Sequence, residues 1–253
     1  MRFEALAGRE MRMDDLTTRL LGIRQLAECT GICLWHHLFK LGANVIDPAG
    51  DIEQHIGRLV ARRILDHLGC PVRTAGLDRV AGLVRYGVAS THASYLDWAV
   101  LLGYFPAPLR FVAKRELVRV PVIGDYLRLR GILIDRARGE DARAAIARAA
   151  RDDIPWPILI FPEGTRSRDG SIGKFKPGGL RLLVEAGRPI VPVRIRGTYE
   201  ALSRHDRAVR PRPLEMLVGD PVPPDFGGGV EAVLAEVERR VRALGEPAAP
   251  GDR

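Results

Sequence analysis

The stretch Thr91 to Ala99, THASYLDWA, sets a histidine and an aspartate five positions apart. In an α-helix that spacing turns the two side chains about 140° from each other, and in a strand it points them to opposite faces. The pair can meet only at a corner, where a strand ends, His92 occupies the turn, and a helix starting near Ser94 brings Asp97 back toward it. Ser94 is suited to capping such a helix. A His and Asp pair held this way is the orienting arrangement of acyl transfer, and it needs no serine or cysteine nucleophile if the substrate brings its own hydroxyl.

Three further stretches carry chemistry. FPEGTRS, Phe161 to Ser167, follows the apolar run PILI and offers a turn, backbone N–H groups, a hydroxyl and a guanidinium, all suited to a phosphate. Its plainer reading is an exposed turn in which Glu163 and Arg166 pair with each other. Downstream, GKFKPGG adds Lys174 and Lys176 to the same neighbourhood. In RGILIDR, Asp135 and Arg136 close a strand, and VPVRIRGT, Val191 to Thr198, reads as another strand and its exit.

The elements that must position these residues follow from periodicity. Residues 1 to about 70 read as helical, and in IEQHIGRLVARRILDHLG the residues Ile56, Leu59, Val60 and Leu68 share a face that Arg58, Arg62 and Arg63 avoid. A basic amphipathic helix can lie on lipid or pack on a core. From about residue 77, short apolar runs alternate with helical stretches, which predicts an α/β fold with a mostly parallel central sheet flanked by helices. The expected strands are LVRYGVA, LRFVA, GILID, PILIFP, PIVPVRI and LEMLVG; the expected helices are YLDWAVLLG, VIGDYLRLR, EDARAAIARAAR, GGLRLLVEAG and a last one from about Val230 to Leu244. The domain division is a helical extension over 1–75 that can associate with a membrane, a main domain over 76–245 and a flexible tail over 246–253.

Composition narrows the partners. A net charge of +8 fits nucleic acid, an anionic membrane surface or phosphorylated substrates. Nucleic acid is disfavoured, because aromatic content is 6% and no stacking residues interleave the basic runs. Three cysteines, Cys29, Cys33 and Cys70, are too few and odd in number for a disulfide framework and point to a reducing compartment. Cys29, Cys33, His36 and His37 resemble a metal cluster on paper. Cys29 and Cys33, however, lie four apart on an apolar helix face, where a thiol acts as a small hydrophobe, and no second ligand pair follows, so no metal is expected. No apolar run reaches the roughly 18 to 20 residues of a membrane span, and no secretory signal is visible.

In order and spacing, His92 to Asp97, Gly131 to Arg136, Phe161 to Ser167 and Val191 to Ile195 resemble the glycerolipid acyltransferases of the lysophosphatidate (1-acylglycerol-3-phosphate) type. FVAKREL, PVIGDYLRLRG and GKFKPGGLRLL fit as well, and the resemblance covers roughly residues 80 to 220. Thr91 stands where that family usually has Asn, and the leader does not match the family's membrane anchor. The resemblance implies the glycerolipid acyltransferase fold and transfer of an acyl group from acyl-CoA or acyl-carrier protein to the free hydroxyl of a lysophospholipid acceptor, giving phosphatidic acid. His92 would be the base and Asp97 its orienting partner. Glu163, Gly164, Thr165 and Arg166 would hold the phosphate with Lys114 and Arg136 as further candidates, Arg136 being equally a structural partner of Asp135. No metal or nucleotide cofactor is implied. Location at the cytoplasmic face of the cell membrane follows, bound peripherally or shallowly embedded. The alternatives are an acyltransferase for another lysolipid, including lyso-ornithine-type lipids, a thioester hydrolase and, more distantly, a basic nucleic-acid-binding protein.

Overall fold

The structure is a computed structural model describing residues 16–35, 51–120, 123–135 and 139–246. Seven strands form one sheet: β1 Val72–Ala75, β2 Gly87–Ser90, β3 Arg110–Lys114, β4 Ile132–Ile134, β5 Ile158–Ile160, β6 Ile190–Arg196 and β7 Leu214–Val218. Their spatial order is β1-β7-β6-β2-β5-β3-β4. The five strands from β6 to β4 are mutually parallel, β7 is antiparallel to β6, and β1 runs with β7. The mostly parallel sheet expected from alternation is therefore present, with a reversed two-strand margin. β1 lies within the stretch read from sequence as helical leader; its four residues are mostly exposed and carry no apolar alternation, which is why periodicity misses it.

Burial explains the strand sequences. All four residues of β2 and all three of β5 are buried, as expected where helices cover both faces and a strand reads as a continuous apolar run. β7 alternates buried and half-buried residues, the pattern of a strand with one wetter face. The helices are α1 over 16–35, α2 Asp51–His67, α3 Asp97–Tyr104, α4 Ile123–Arg130, α5 Gly139–Arg151, α6 Pro177–Glu185, α7 Thr198–Ala201 and α8 Val230–Ala243. One apolar cluster joins α2, α3 and α4 to the sheet, and a second joins α5, α6 and α8 to it.

The two described leader helices have different fates. α2 buries Val60, Ala61, Ile64 and Leu65 and packs on α3. Its arginines close the far end of that helix: Arg58 donates to the Phe105 carbonyl and Arg62 Nε to the Gly103 carbonyl at 2.7 Å. Last-turn carbonyls have no partner within their helix, so cations suit that end. Two of the three arginines of α2 are thus engaged by α3, while Arg63 is exposed. α1 instead sits on the loop after α7. A Cβ at Gly22 would come within 2.0 Å of the Arg207 carbonyl oxygen, so the helix backbone needs glycine there. Three residues on, Gln25 donates to the Val209 carbonyl at 3.1 Å and accepts from the Val209 N–H at 2.8 Å. Cys29, Ile32 and Cys33 continue the packed face, and burial pushes the Cys33 thiol up to about 11. His36 and His37 lie outside the described residues, as does the tail from 247 onward.

At the opposite edge of the sheet from the strand ends discussed below, Arg188 is 2% exposed. It donates to the carbonyls of Ala150 at 2.8 Å, Ala149 at 3.1 Å and Asp152 at 3.2 Å, closing the end of α5 just before β6 begins. Asp152 also holds Arg110, the first residue of β3, at 2.8 Å. Arg188→Met should keep the volume but leave three carbonyls without their donor, lowering unfolding free energy by about 3 kcal/mol in urea titrations. An unchanged midpoint would show that water replaces the guanidinium there.

Candidate active site

Because β6, β2, β5, β3 and β4 are parallel, their C-terminal ends share one edge, and the exits of β2, β5 and β6 lie side by side at the sheet's centre. In open α/β sheets this crevice is where ligands bind. His92 leaves β2 there, and its Nδ1 is 2.9 Å from Asp97 Oδ2. The corner differs in one detail from expectation: α3 begins at Asp97 itself with Leu96 as its cap residue. Ser94 Oγ braces the turn, accepting from Leu96 N–H at 3.0 Å and donating to the Leu202 carbonyl at 2.6 Å.

Asp97 is fully buried and takes four donors. Oδ2 accepts from His92 Nδ1 and from the backbone N–H groups of Ala93 at 2.7 Å and Ser94 at 2.9 Å, while Oδ1 accepts from Thr198 Oγ1 at 2.7 Å. A carboxylate is acceptor-only, so Nδ1 carries a proton toward it, and in the neutral ring this tautomer leaves the lone pair on Nε2. Phe161 stacks on the imidazole with ring centroids 4.0 Å apart and an 18° tilt. Fixed on one face and at one nitrogen, the ring can serve as a base at Nε2.

Glu163, grouped from sequence with a phosphate-holding turn, faces inward. Its Oε1 accepts from the His92 N–H at 2.8 Å and its Oε2 from the Gly173 N–H at 3.0 Å. It is a brace on the histidine's own backbone, and a second carboxylate oxygen turned toward a phosphate would only repel it. Ser167 N–H adds a 2.8 Å bond to the His92 carbonyl. Burial, the largest influence, raises the Glu163 carboxyl above its ordinary value against the pull of those two N–H donors.

Two cavities flank this turn. A cavity of about 400 Å³ is lined by His92, Glu163, Thr198 and the end of β6. On the other side, an apolar cavity of about 630 Å³ lies between α1 and the turn, walled by Ile23, Leu26, Leu96 and Leu202.

The comparisons with known proteins converge on one family. Residues 72–196 match the family model described as Acyltransferase. This stretch is an acyltransferase domain. The chain is 35% identical over 160 residues to a 1-acyl-sn-glycerol-3-phosphate acyltransferase of Pseudomonas aeruginosa, covering 62% of this chain and 60% of that protein. It is 30% identical over 172 residues to one from Limnanthes douglasii, covering 67% and 60%. The crystal structure of the 1-acyl-sn-glycerophosphate (LPA) acyltransferase PlsC from Thermotoga maritima superposes with a TM-score of 0.79 at 25% identity, covering 90% of this chain and 94% of that one. The matched stretch spans about 60% of the length of those two curated relatives.

Within the acyltransferase domain, the remaining residues singled out from sequence scatter. Gly164 adopts φ +73°, which requires glycine, and a Cβ there would come within 3.0 Å of Lys176 Nζ. Thr165 is exposed in the same turn. Arg166 lies with its Cζ 3.3 Å from the Tyr95 ring centroid, and its Nη1 is buried with no hydrogen-bond partner among the described residues. Lys114 ends β3 and is exposed, two strands from β2 and so about 10 Å along the sheet. Arg136 lies outside the described residues, and Asp135 ends the described part of that block. Residues not found from sequence are Thr198, Phe161 as a ring partner, and Tyr95. Only Thr198 had a signal, as the first polar residue beyond the VPVRIRG strand.

Glu163→Gln leaves one acceptor where two N–H groups need one each. It should lower kcat by about tenfold to a hundredfold through misplacement of His92, as steady-state assays would show. The raised carboxyl also fixes a pH dependence. Its contribution to stability is full below the unfolded-chain value, ordinarily 4.5, and is lost as pH rises through the native one. Wild-type stability relative to Glu163→Gln should therefore fall across that window in denaturation curves; a pH-independent difference would contradict it.

Proposed function

We propose that this protein transfers a fatty acyl group from an acyl thioester, carried by CoA or acyl-carrier protein, to the free hydroxyl of 1-acylglycerol-3-phosphate, giving phosphatidic acid. The observation that carries the reading is the His92–Asp97 pair at the centre of the sheet edge, with an unpartnered buried guanidinium nitrogen on Arg166 beside it. The relatives named above bear that activity in their names.

His92 Nε2 takes the proton of the lipid hydroxyl as its oxygen attacks the thioester carbonyl carbon. The tetrahedral intermediate collapses with cleavage of the C–S bond, and the imidazolium returns the proton to the departing sulfur. The thiol and the new ester leave, and the histidine is regenerated. Asp97 holds the ring through Nδ1 and offsets its transient charge. Direct attack needs no acyl-enzyme and no metal or nucleotide. Arg166 and Lys176 supply charge for the acceptor's phosphate, with Lys114 and Arg136 further out along the edge. The apolar cavity under α1 receives an acyl chain.

The same reading places the protein on an anionic membrane surface, at the cytoplasmic face. α1 is apolar on both sides: opposite its packed residues, Leu16, Leu20 and Leu34 form a stripe 57 to 58% exposed. No helix among the described residues is long and apolar enough to cross a membrane. An outward apolar stripe on a basic protein suits the lipid interface.

Two outcomes test these statements. His92→Ala should lower lysophosphatidate-dependent thiol release from an acyl thioester by about two to four orders of magnitude. An unchanged rate would remove the histidine from the chemistry. Leu20→Glu with Leu34→Glu should weaken flotation with phosphatidylglycerol vesicles by roughly tenfold or more. Equal flotation of both proteins would assign membrane contact elsewhere.

A further inference from the structure

Tyr95 is the residue inside THASYLDWA that the mechanism leaves unused. It is 56% exposed, although it lies between two residues of the site. Its backbone cannot drift. Asp97 Oδ2 holds the N–H groups of Ala93 and Ser94, and Ser94 Oγ ties the following residue, Leu96, to the Leu202 carbonyl. The ring therefore springs from a backbone held in place relative to His92. One side meets the Arg166 guanidinium, with Cζ 3.3 Å from the centroid, and Tyr95 also contributes to the wall of the apolar cavity.

A tyrosine that merely covered an arginine would accompany a guanidinium whose N–H groups were satisfied elsewhere. Arg166 Nη1 is instead buried with no partner among the described residues, a cost the fold bears unless an anion fills it. Contact with the face of a ring leaves the in-plane N–H fork free, which is the geometry a phosphate oxygen pair needs. An unstacked arginine would also lose side-chain freedom on gripping that phosphate, and the ring removes part of that loss in advance.

We propose that Tyr95 is a positioning residue for the acceptor. Its ring holds the Arg166 guanidinium flat for the phosphate and divides that polar site from the apolar cavity, so that headgroup and chain are sorted to opposite sides of one side chain beside His92. The proposal rests on the reading of Arg166 as a phosphate ligand.

The test is steady-state kinetics with both substrates varied, on Tyr95→Ala, Tyr95→Phe, Tyr95→Trp, Arg166→Ala and the double Ala variant, with thermal midpoints as a folding check. Tyr95→Ala should raise KM for lysophosphatidate about tenfold and leave KM for the acyl thioester unchanged, while Phe and Trp stay within about twofold of wild type. The double variant should be no worse than Arg166→Ala alone. If Arg166→Ala raises the acceptor KM and Tyr95→Ala does not, the proposal for Tyr95 is overturned and the phosphate site stands. If neither does, the phosphate reading of Arg166 fails and takes the proposal with it. Equal rises in both KM values, or a Phe variant as poor as Ala, would also overturn it.

Discussion

A carboxylate taken entirely out of water must be met by hydrogen-bond donors on every side, and Asp97 imposes that demand on the whole site. Its four donors come from the turn after β2 and from α7 just beyond β6. Satisfying it therefore fixes the exit of one central strand to the exit of its neighbour. The histidine is held as a by-product of that bonding: its ring nitrogen is one of the donors, and its backbone is pinned from the third strand exit by Glu163 and Ser167. Three adjacent parallel strands thus converge on one imidazole, which is possible only because β2 sits between β6 and β5.

The parts of this arrangement legible in sequence were those carried by strong local patterns. The six expected strands and five expected helices of the 76–245 region are present, because buried parallel strands read as apolar runs and helices as a 3.6-residue period. The corner joining His92 to Asp97 followed from spacing alone, since no regular element allows the pair to meet. Contacts between distant segments had no such signature. Thr198 reaches Asp97 across 101 positions, and its place just beyond the VPVRIRG strand is the single local hint of that contact. Glu163 was visible as a residue of the turn, but its direction was not: the chain turns it toward the His92 and Gly173 amides, and only the packing of β5 against β2 decides that.

The leader shows a similar division. Both helices looked available for lipid, and the arginines of α2 favoured it. The structure uses Arg58 and Arg62 on the carbonyls that end α3, a role charge counting cannot see. α1, whose two apolar faces blur its amphipathic pattern, is the helix left with an uncovered stripe. Gly22 and Gln25 hold it against the loop that follows α7, so the wall of the apolar cavity and the outward stripe belong to one element.

Direct attack by the lipid hydroxyl is the central claim, and mass spectrometry of the intact wild-type protein together with its lipid products addresses it most directly. With acyl thioester alone, the protein mass should stay unchanged and no thiol should appear; on adding lysophosphatidate, phosphatidic acid and free thiol should form in equal amounts. An acyl adduct on the protein, or thiol released without acceptor, would contradict the account.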